Sequence, residues 1–270
     1  MERLILGTGV KGTKSAAGKN PFCDFAITVK KVHEECGDSG FVYDDGQKLI
    51  MAVLDGVSGE PGAASASSEA SIALLAFLKK QDKMNGTVMK EAFAHAQENV
   101  TSGFTTASVL FLQKNGSFTI AAVGDSPVYG LEKPGQLSLE LPISRPVGVK
   151  DSILKFFTLR NLVTSVLGPS GTEIHINMAT GTFSKGQVLI LASDGLTDNL
   201  YMATSEGYVT DSSGKEDLMA LIGNEQKPQA IAKKLMAEVS RRLKAGRKEK
   251  ENGVLVPKQD DIAIAVVRRL

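Results

Sequence analysis

Two short turns constrain the architecture of this chain more than any other feature. Asp45-Gly46 separates the apolar runs "GFVY" and "KLIMAVL", and Lys114-Asn115-Gly116 separates "TASVLFL" from "SFTIAAV". Asp-Gly and Asn-Gly supply the positive φ angles that tight hairpins need. Hairpins make sequential strands antiparallel, which argues against an all-parallel nucleotide-binding sheet. Further strands are expected at "CDFAITVKKV", at "VLILA" and at the closing "DIAIAVVRRL".

Helices interrupt these strands in pairs. Residues 61–81 begin at Pro61 and turn strongly apolar at Ile72 to Leu78, and residues 87–100 follow with a mixed face. Near the C-terminus a helix is expected to start at Pro228, in the favoured first-turn position, and to stop at Gly246. Its Ile231, Leu235, Val239 and Leu243 recur at helical spacing, with Lys and Arg opposite. Antiparallel strands with inserted helix pairs predict an α+β protein of sheets covered by helices.

With 270 residues, 42% of them hydrophobic, and no linker or repeat, one domain is expected. Residues 1–21 read as an N-terminal loop segment and residues 22–270 as that domain. The net charge of +1 gives no pull toward nucleic acid or an anionic membrane, so neither is expected as a partner. Two cysteines and three histidines offer neither a disulfide framework nor a zinc spacing. No apolar run reaches the ~18 residues of a membrane span, and the expected location is the cytoplasm.

Several sequence features have plain structural readings. "GTGVKG" at 7–12 spells G-x-G-x-x-G, but polar, turn-rich "TKSAAGKNP" follows where a dinucleotide fold needs a helix. The basic run at 241–252 ends an amphipathic helix and contains Glu, as a solvated face does. His95 lies mid-helix and needs no ligand, and Asp45 is a turn residue.

The remaining aspartates resist that treatment. Asp55 ends "KLIMAVL", Asp125 follows "SFTIAAV", and Asp194, with Asp198 four residues on, follows "QVLILAS". Asp260 and Asp261 precede the last strand, and Asp38 precedes "SGFVY". Carboxylates gathered at strand ends, in a chain poor in His and Cys, point to hard cations such as Mg²⁺ or Mn²⁺. Without a cation, clustered like charges would be costly.

In order along the chain, "CGDSGFV", "LDGVSG", "GFTTASVLFL", "IAAVGDSPVYGL", "NLVTSVLG", "ILASDGLTDNL" and "QDDIAIAVV" resemble the blocks of the metal-dependent type 2C protein phosphatases, the PPM family. The resemblance spans residues 22–270. It implies a four-layer αββα sandwich, in which two antiparallel sheets face each other between helix pairs. It also implies a phosphoserine/phosphothreonine protein phosphatase in which a water activated by two metal ions attacks phosphorus in line. Asp55, Asp194 and Asp260 would be the catalytic carboxylates and hold the first Mn²⁺ or Mg²⁺, with Asp55 bridging to a second. The Gly56 carbonyl and Asp38 would serve that second ion, and Asp125 and Asp198 match a possible third. The implied partner is a phosphorylated protein.

Four positions depart from the family pattern. Gly37 stands where the family has Glu, Val57 where many members have a proton-donating His, and Asp261 in place of the final Asn. His33 lies near the place of a phosphate-binding Arg, and could approach the site from the preceding strand. The "GDS" and "DGVSG" blocks lean toward the branch acting on sigma-factor pathways. Two other functions fit the same sequence: an inactive regulatory binding protein that keeps the fold, and a hydrolase of small phosphorylated metabolites.

Overall fold

The structure is a computed structural model. It describes residues 1–59, 61–133, 136–141, 144, 155, 158–169, 173–200, 202–203, 209–211, 215–245 and 257–270. One six-stranded sheet contains β1 (Glu2–Ile5), β4 (Ser39–Asp44), β5 (Lys48–Leu54), β6 (Ala107–Gln113), β7 (Ser117–Val123) and β10 (Asn177–Thr182), neighbours in that order. The second contains β2 (Thr13–Lys19), β3 (Cys23–Lys30), β14 (Ile262–Arg269), β11 (Val188–Ala192), β8 (Val128–Lys133) and β9 (Gln136–Leu141). A small pair, β12 (Met202–Ala203) and β13 (Val209–Asp211), stands apart. Neighbouring strands are antiparallel in both six-stranded sheets. The two expected hairpins are formed, with Gly46 at φ 79° and Gly116 at φ 95°. At the first, Asp45 Oδ1 accepts the N–H groups of Gln47 and Lys48.

The helices are α1 (Ala63–Leu78), α2 (Gly86–Asn99), the single turn α3 (Asp194–Thr197), α4 (Lys215–Ile222) and α5 (Pro228–Ala245). α1 starts two residues after the expected Pro61, and the expected stop of α5 at Gly246 lies outside the described residues, as do residues 246–252 of the basic run.

Alternation along β5 shows how the layers stack. Met51 and Val53 join Val42, Leu110 and Ile120 in a core that packs against Phe25, Ile27, Leu191 and Ala265 of the other sheet. Ile50, Ala52 and Leu54 point the other way, onto Ala70, Leu74, Met89 and Phe93 of α1 and α2. In the second sheet Ile190, Ile262, Ile264 and Val266 pack on Leu218, Ile231, Leu235 and Val239 of α4 and α5. A strand buried on both faces reads as an unbroken apolar run, as "KLIMAVL" does. These three cores make the αββα sandwich.

The expected N-terminal loop is corrected. Residues 2–5 pair with β4 and residues 13–19 pair with β3, so the segment contributes an edge strand to each sheet. Edge strands need only backbone pairing on one side, and both expose most of their side chains, so neither carries an apolar pattern. Within "GTGVKG", Gly7–Gly9 is a short 3₁₀ turn between these strands, with Gly7 N–H donating to Ser39 Oγ at 2.8 Å.

Arg242 fastens the outer helices to the turn that carries Asp194. Its guanidinium donates to Glu238 on α5, to Asp217 on α4 and to the Asn199 carbonyl at 2.9 Å. The Arg241 guanidinium first, and then Arg242 against the opposing effect of burial, hold the Glu238 carboxyl down at about 2. Arg242→Met should lower unfolding free energy by about 1–3 kcal/mol in urea titrations, because Asp217 loses its guanidinium partner while Glu238 keeps only Arg241. The Glu238 contribution is complete above its ordinary value of 4.5 and is lost as pH falls through about 2. Arg241 remains in the variant, so only the smaller Arg242 share of that contribution is lost and the gap should narrow slightly over that interval.

Candidate metal centre

Antiparallel pairing alone brings the strand-end aspartates to one edge. Ser39 pairs with Leu54, Val53 with Ser108, and Ala107 with Val123. The start of β4, the end of β5, the start of β6 and the end of β7 are therefore neighbours, which places Asp38, Asp55 and Asp125 together. In the other sheet Ala192 pairs with Ile264, and Ile262 with Lys30. That register sets Asp194, Asp260, Asp261 and His33 along the facing edge.

Each carboxylate is held by its surroundings. The Asp55 carbonyl accepts from Thr106 N–H at 2.8 Å and Thr105 Oγ1 at 2.9 Å, which fixes the backbone at the end of β5. Its Oδ2 lies 3.4 Å from the Asp194 N–H. Ser193 Oγ donates to Asp38 Oδ2 at 2.7 Å and accepts from Ala263 N–H at 2.9 Å, linking three segments. Asp261 organises the neighbouring loop as well as lining the cavity beside Gly56. Its carboxylate accepts the N–H groups of Val32 (2.5 Å), His33 (3.1 Å) and Gly37 (2.7 Å), and so shapes the loop after β3.

Asp55, Asp125, Asp194 and Asp260 line one cleft of about 270 Å³, with Thr106, Ser58, His33, Arg160 and Lys258. Asp38 and Asp198 are buried behind it. Gly56 faces an adjoining cavity of about 320 Å³ shared with Gly37, Glu35 and Asp261. A Cβ on Gly37 would lie 3.1 Å from the Gly56 carbonyl oxygen, so a side chain there would stand beside that carbonyl. A larger groove of about 360 Å³ lies between β2, β3 and α5, but it holds lysines and no carboxylate, so the aspartate chemistry belongs to the smaller cleft.

His33 Nδ1 lies 3.6 Å from both Asp260 Oδ1 and Asp261 Oδ2, at the cleft mouth. Lys258 reaches into the middle of the cluster. Its ammonium donates to Asp194 Oδ2 and to Asp260 Oδ2 (2.8 Å), and stands 3.7 Å from Asp198 Oδ2.

The electrostatics of the cluster are unbalanced. Burial, followed by repulsion from Asp194, Asp38 and Asp260, holds the Asp55 carboxyl well above the usual range. Burial and then Asp260 and Asp261 do the same to Asp38. Burial also raises Asp260, with Lys258 opposing. For Lys258 itself burial disfavours the charge, but Asp194, Asp198, Asp260 and Asp55 outweigh it and raise its pKa well above the ordinary value. One ammonium among so many carboxylates leaves a strong demand for further positive charge, and an all-oxygen donor set suits hard divalent ions. The residues fit such ions.

Sequence patterns missed Lys258, Ser193 and Arg160. The one available signal for Lys258 was a lone cation two residues ahead of an acidic pair. Ser193 was visible only as the residue between a strand and Asp194.

The profile of the family "Stage II sporulation protein E (SpoIIE)" matches residues 45–270. The chain belongs to this SpoIIE family, and its two facing sheets are those of the PPM phosphatase fold. Among solved structures, RsbX in complex with magnesium is 18% identical, with a TM-score of 0.61 over 95% of this chain and 100% of that one. The serine/threonine phosphatase PstP/Ppp of Mycobacterium tuberculosis is 16% identical, with a TM-score of 0.56 over 92% and 98%. The phosphatase domain and regulatory fragment of SpoIIE from Bacillus subtilis is 18% identical, with a TM-score of 0.57 over 99% and 64%. No curated protein sequence matches the chain.

Proposed function

We propose that this chain is a divalent-metal-dependent phosphatase of phosphoserine and phosphothreonine in proteins. The observation that carries this reading is the convergence of Asp55, Asp125, Asp194 and Asp260 in one cleft. Asp55, Asp194 and Asp260 would hold a first Mn²⁺ or Mg²⁺. Asp38 and the Gly56 carbonyl would serve a second, and Asp125 and Asp198 would serve a possible third. Held by these residues, such ions would supply an activated water and positive charge for the transferred phosphoryl group.

The chain's own residues do the rest. Thr105 and Thr106 fix Asp55, and Ser193 orients Asp38. Arg160 lines the cleft with a guanidinium, whose planar fork suits the oxygens of a phosphate. Val57 lines it too and can neither give nor take a proton, whereas His33 Nδ1 stands beside Asp260 where it can hold one. The shared fold with the serine/threonine phosphatase PstP/Ppp supports a phosphoserine or phosphothreonine substrate. No helix among the described residues is long and apolar enough to cross a membrane, and Cys23 and Cys36 are unpaired, which supports action in a reducing compartment such as the cytoplasm.

The test is turnover of a phosphoserine peptide and of an aryl phosphate before and after chelation. Chelated protein should lose about 100-fold or more of its activity and recover it with Mn²⁺ or Mg²⁺. Undiminished turnover by metal-free protein would overturn the reading. The buried Lys258 ammonium favours one second reading, a PPM-fold binding protein without turnover. Absence of activity on both substrates at saturating Mn²⁺ would select it.

A further inference from the structure

Lys258 is placed where a cation belongs. Its side chain is only 12% exposed, and its ammonium lies within 3.7 Å of carboxylate oxygens from Asp194, Asp198 and Asp260. Its main chain is tied to the same turn. Lys258 N–H donates to Asn199 Oδ1 at 3.0 Å, and Asn199 Nδ2 donates to the carbonyls of Lys258 (3.0 Å) and Gly195 (2.7 Å). Asn199 also lends its own carbonyl to Arg242 on α5. The lysine backbone and the aspartate turn therefore form one braced unit.

We infer that the Lys258 ammonium is a resident cation of the aspartate cluster, occupying one position that a divalent ion would otherwise take. The chain then holds one divalent ion fewer than its carboxylates could. This rests on the proposed metal centre, and it adds a statement about ion number that the metal reading alone does not make.

The physical case is one of exclusion. Mg²⁺ binds carboxylate oxygens at about 2.0–2.1 Å and needs those oxygens to converge on it. An ammonium already in hydrogen-bond contact with two of these carboxylates, and close to a third, takes the same lone pairs. An ion placed there would also meet a like charge at contact distance in a shielded site, where repulsion is poorly screened. Unlike a bound ion, the lysine cannot dissociate. It keeps Asp194, Asp198 and Asp260 together through one oxygen of each when free metal is scarce, and the ion position it takes is the one beside Asp198, so that Asp55 with Asp194 and Asp260 still serves the first ion.

The test counts ions. Full-length parent protein and Lys258→Met, a change that keeps length and removes charge, are purified in Mn²⁺ and brought to equilibrium by dialysis at saturating Mn²⁺. Bound manganese per chain is then measured by elemental analysis. The expected result is one more Mn²⁺ per chain in Lys258→Met than in the parent. Lys258→Arg, which retains a cation, is expected to bind the parental number. Keeping Mn²⁺ present throughout guards against loss of the Met variant, whose metal-free form should melt below the parent and gain more from Mn²⁺ in thermal unfolding. Equal ion counts in parent and Lys258→Met, with at least one ion bound in each, would overturn the inference and leave the metal centre standing. No manganese in either protein would overturn the metal centre itself.

Discussion

Asp55→Asn is expected to lower phosphatase turnover by about 10³-fold or more, while raising the melting temperature of the metal-free protein. The two effects have one cause. In the unfolded chain Asp55 ionises near 3.8, but in the fold burial and the carboxylates of Asp194, Asp38 and Asp260 hold it well above that value. A carboxylate with a raised folded pKa binds its proton more tightly in the native state. Its unfavourable contribution is absent below pH 3.8 and grows as pH rises toward the folded value. Asparagine keeps the shape and a carbonyl acceptor for Asp194 N–H, and removes that charge. Lys258 loses only its most weakly acting carboxylate partner and retains Asp194, Asp198 and Asp260.

Each kcal/mol relieved should raise the melting temperature by roughly 2–4 °C in a chain of this size. The stabilisation should be seen at neutral pH and vanish below pH 3.8, where Asp55 of the parent is uncharged in both folded and unfolded chains, as asparagine always is. Mn²⁺ should then stabilise the parent far more than the variant, because the charge that an ion would neutralise is gone. Calorimetry of both proteins, with chelator and with Mn²⁺, checks each part. A variant less stable than the parent without metal at neutral pH would show that Asp55 is satisfied by protein groups alone, and the cluster would not be a cation site.

The legibility of this site in sequence followed from its construction. β5 and β11 are buried on both faces, so each writes itself as an uninterrupted apolar run, and an aspartate at or just beyond its end stands out. Antiparallel pairing, announced by Gly46 and Gly116, then forces such ends to one edge. What escaped is what carries no pattern. Strands β1 and β2 are held by backbone bonds at sheet edges, with side chains mostly in solvent, and "TKSAAGK" has no alternation to read. Lys258 acts from an irregular segment, and two of its three partners, Asp194 and Asp198, lie 64 and 60 residues away, separations that no local pattern records. Asp261 was legible only as a replacement for the family's final Asn, because its three backbone donors come from a loop more than 220 residues distant.

The acidic motif also depends on a residue with no side chain. A Cβ on Gly195 would lie 1.8 Å from the Asp261 carbonyl oxygen and 3.0 Å from its carbon, and real contacts essentially never fall below 3.0 Å. The turn α3 therefore rests directly on the backbone of residues 260–261. That contact sets the spacing between Asp194 and Asp260. Gly195→Ala must push the two segments apart by more than 1 Å, and the neighbour that has to move is backbone, not a flexible side-chain end. Overpacking of a tight core typically costs about 1–3 kcal/mol, and a backbone clash of this depth belongs above that range. The displaced segment would carry Asp261 away from Val32, His33 and Gly37, and would strain the Asn199 bridge to Lys258. The expected outcome is a fall in melting temperature of about 10 °C or more, or insolubility, together with weakened Mn²⁺ binding. Gly9→Ala is the control, since its nearest neighbour would be Lys14 Nζ at 3.8 Å, and it should shift stability by less than about 1 kcal/mol. Should Gly195→Ala prove soluble, as stable as Gly9→Ala and undiminished in Mn²⁺ binding, the turn could not be the spacer that sets these two carboxylates.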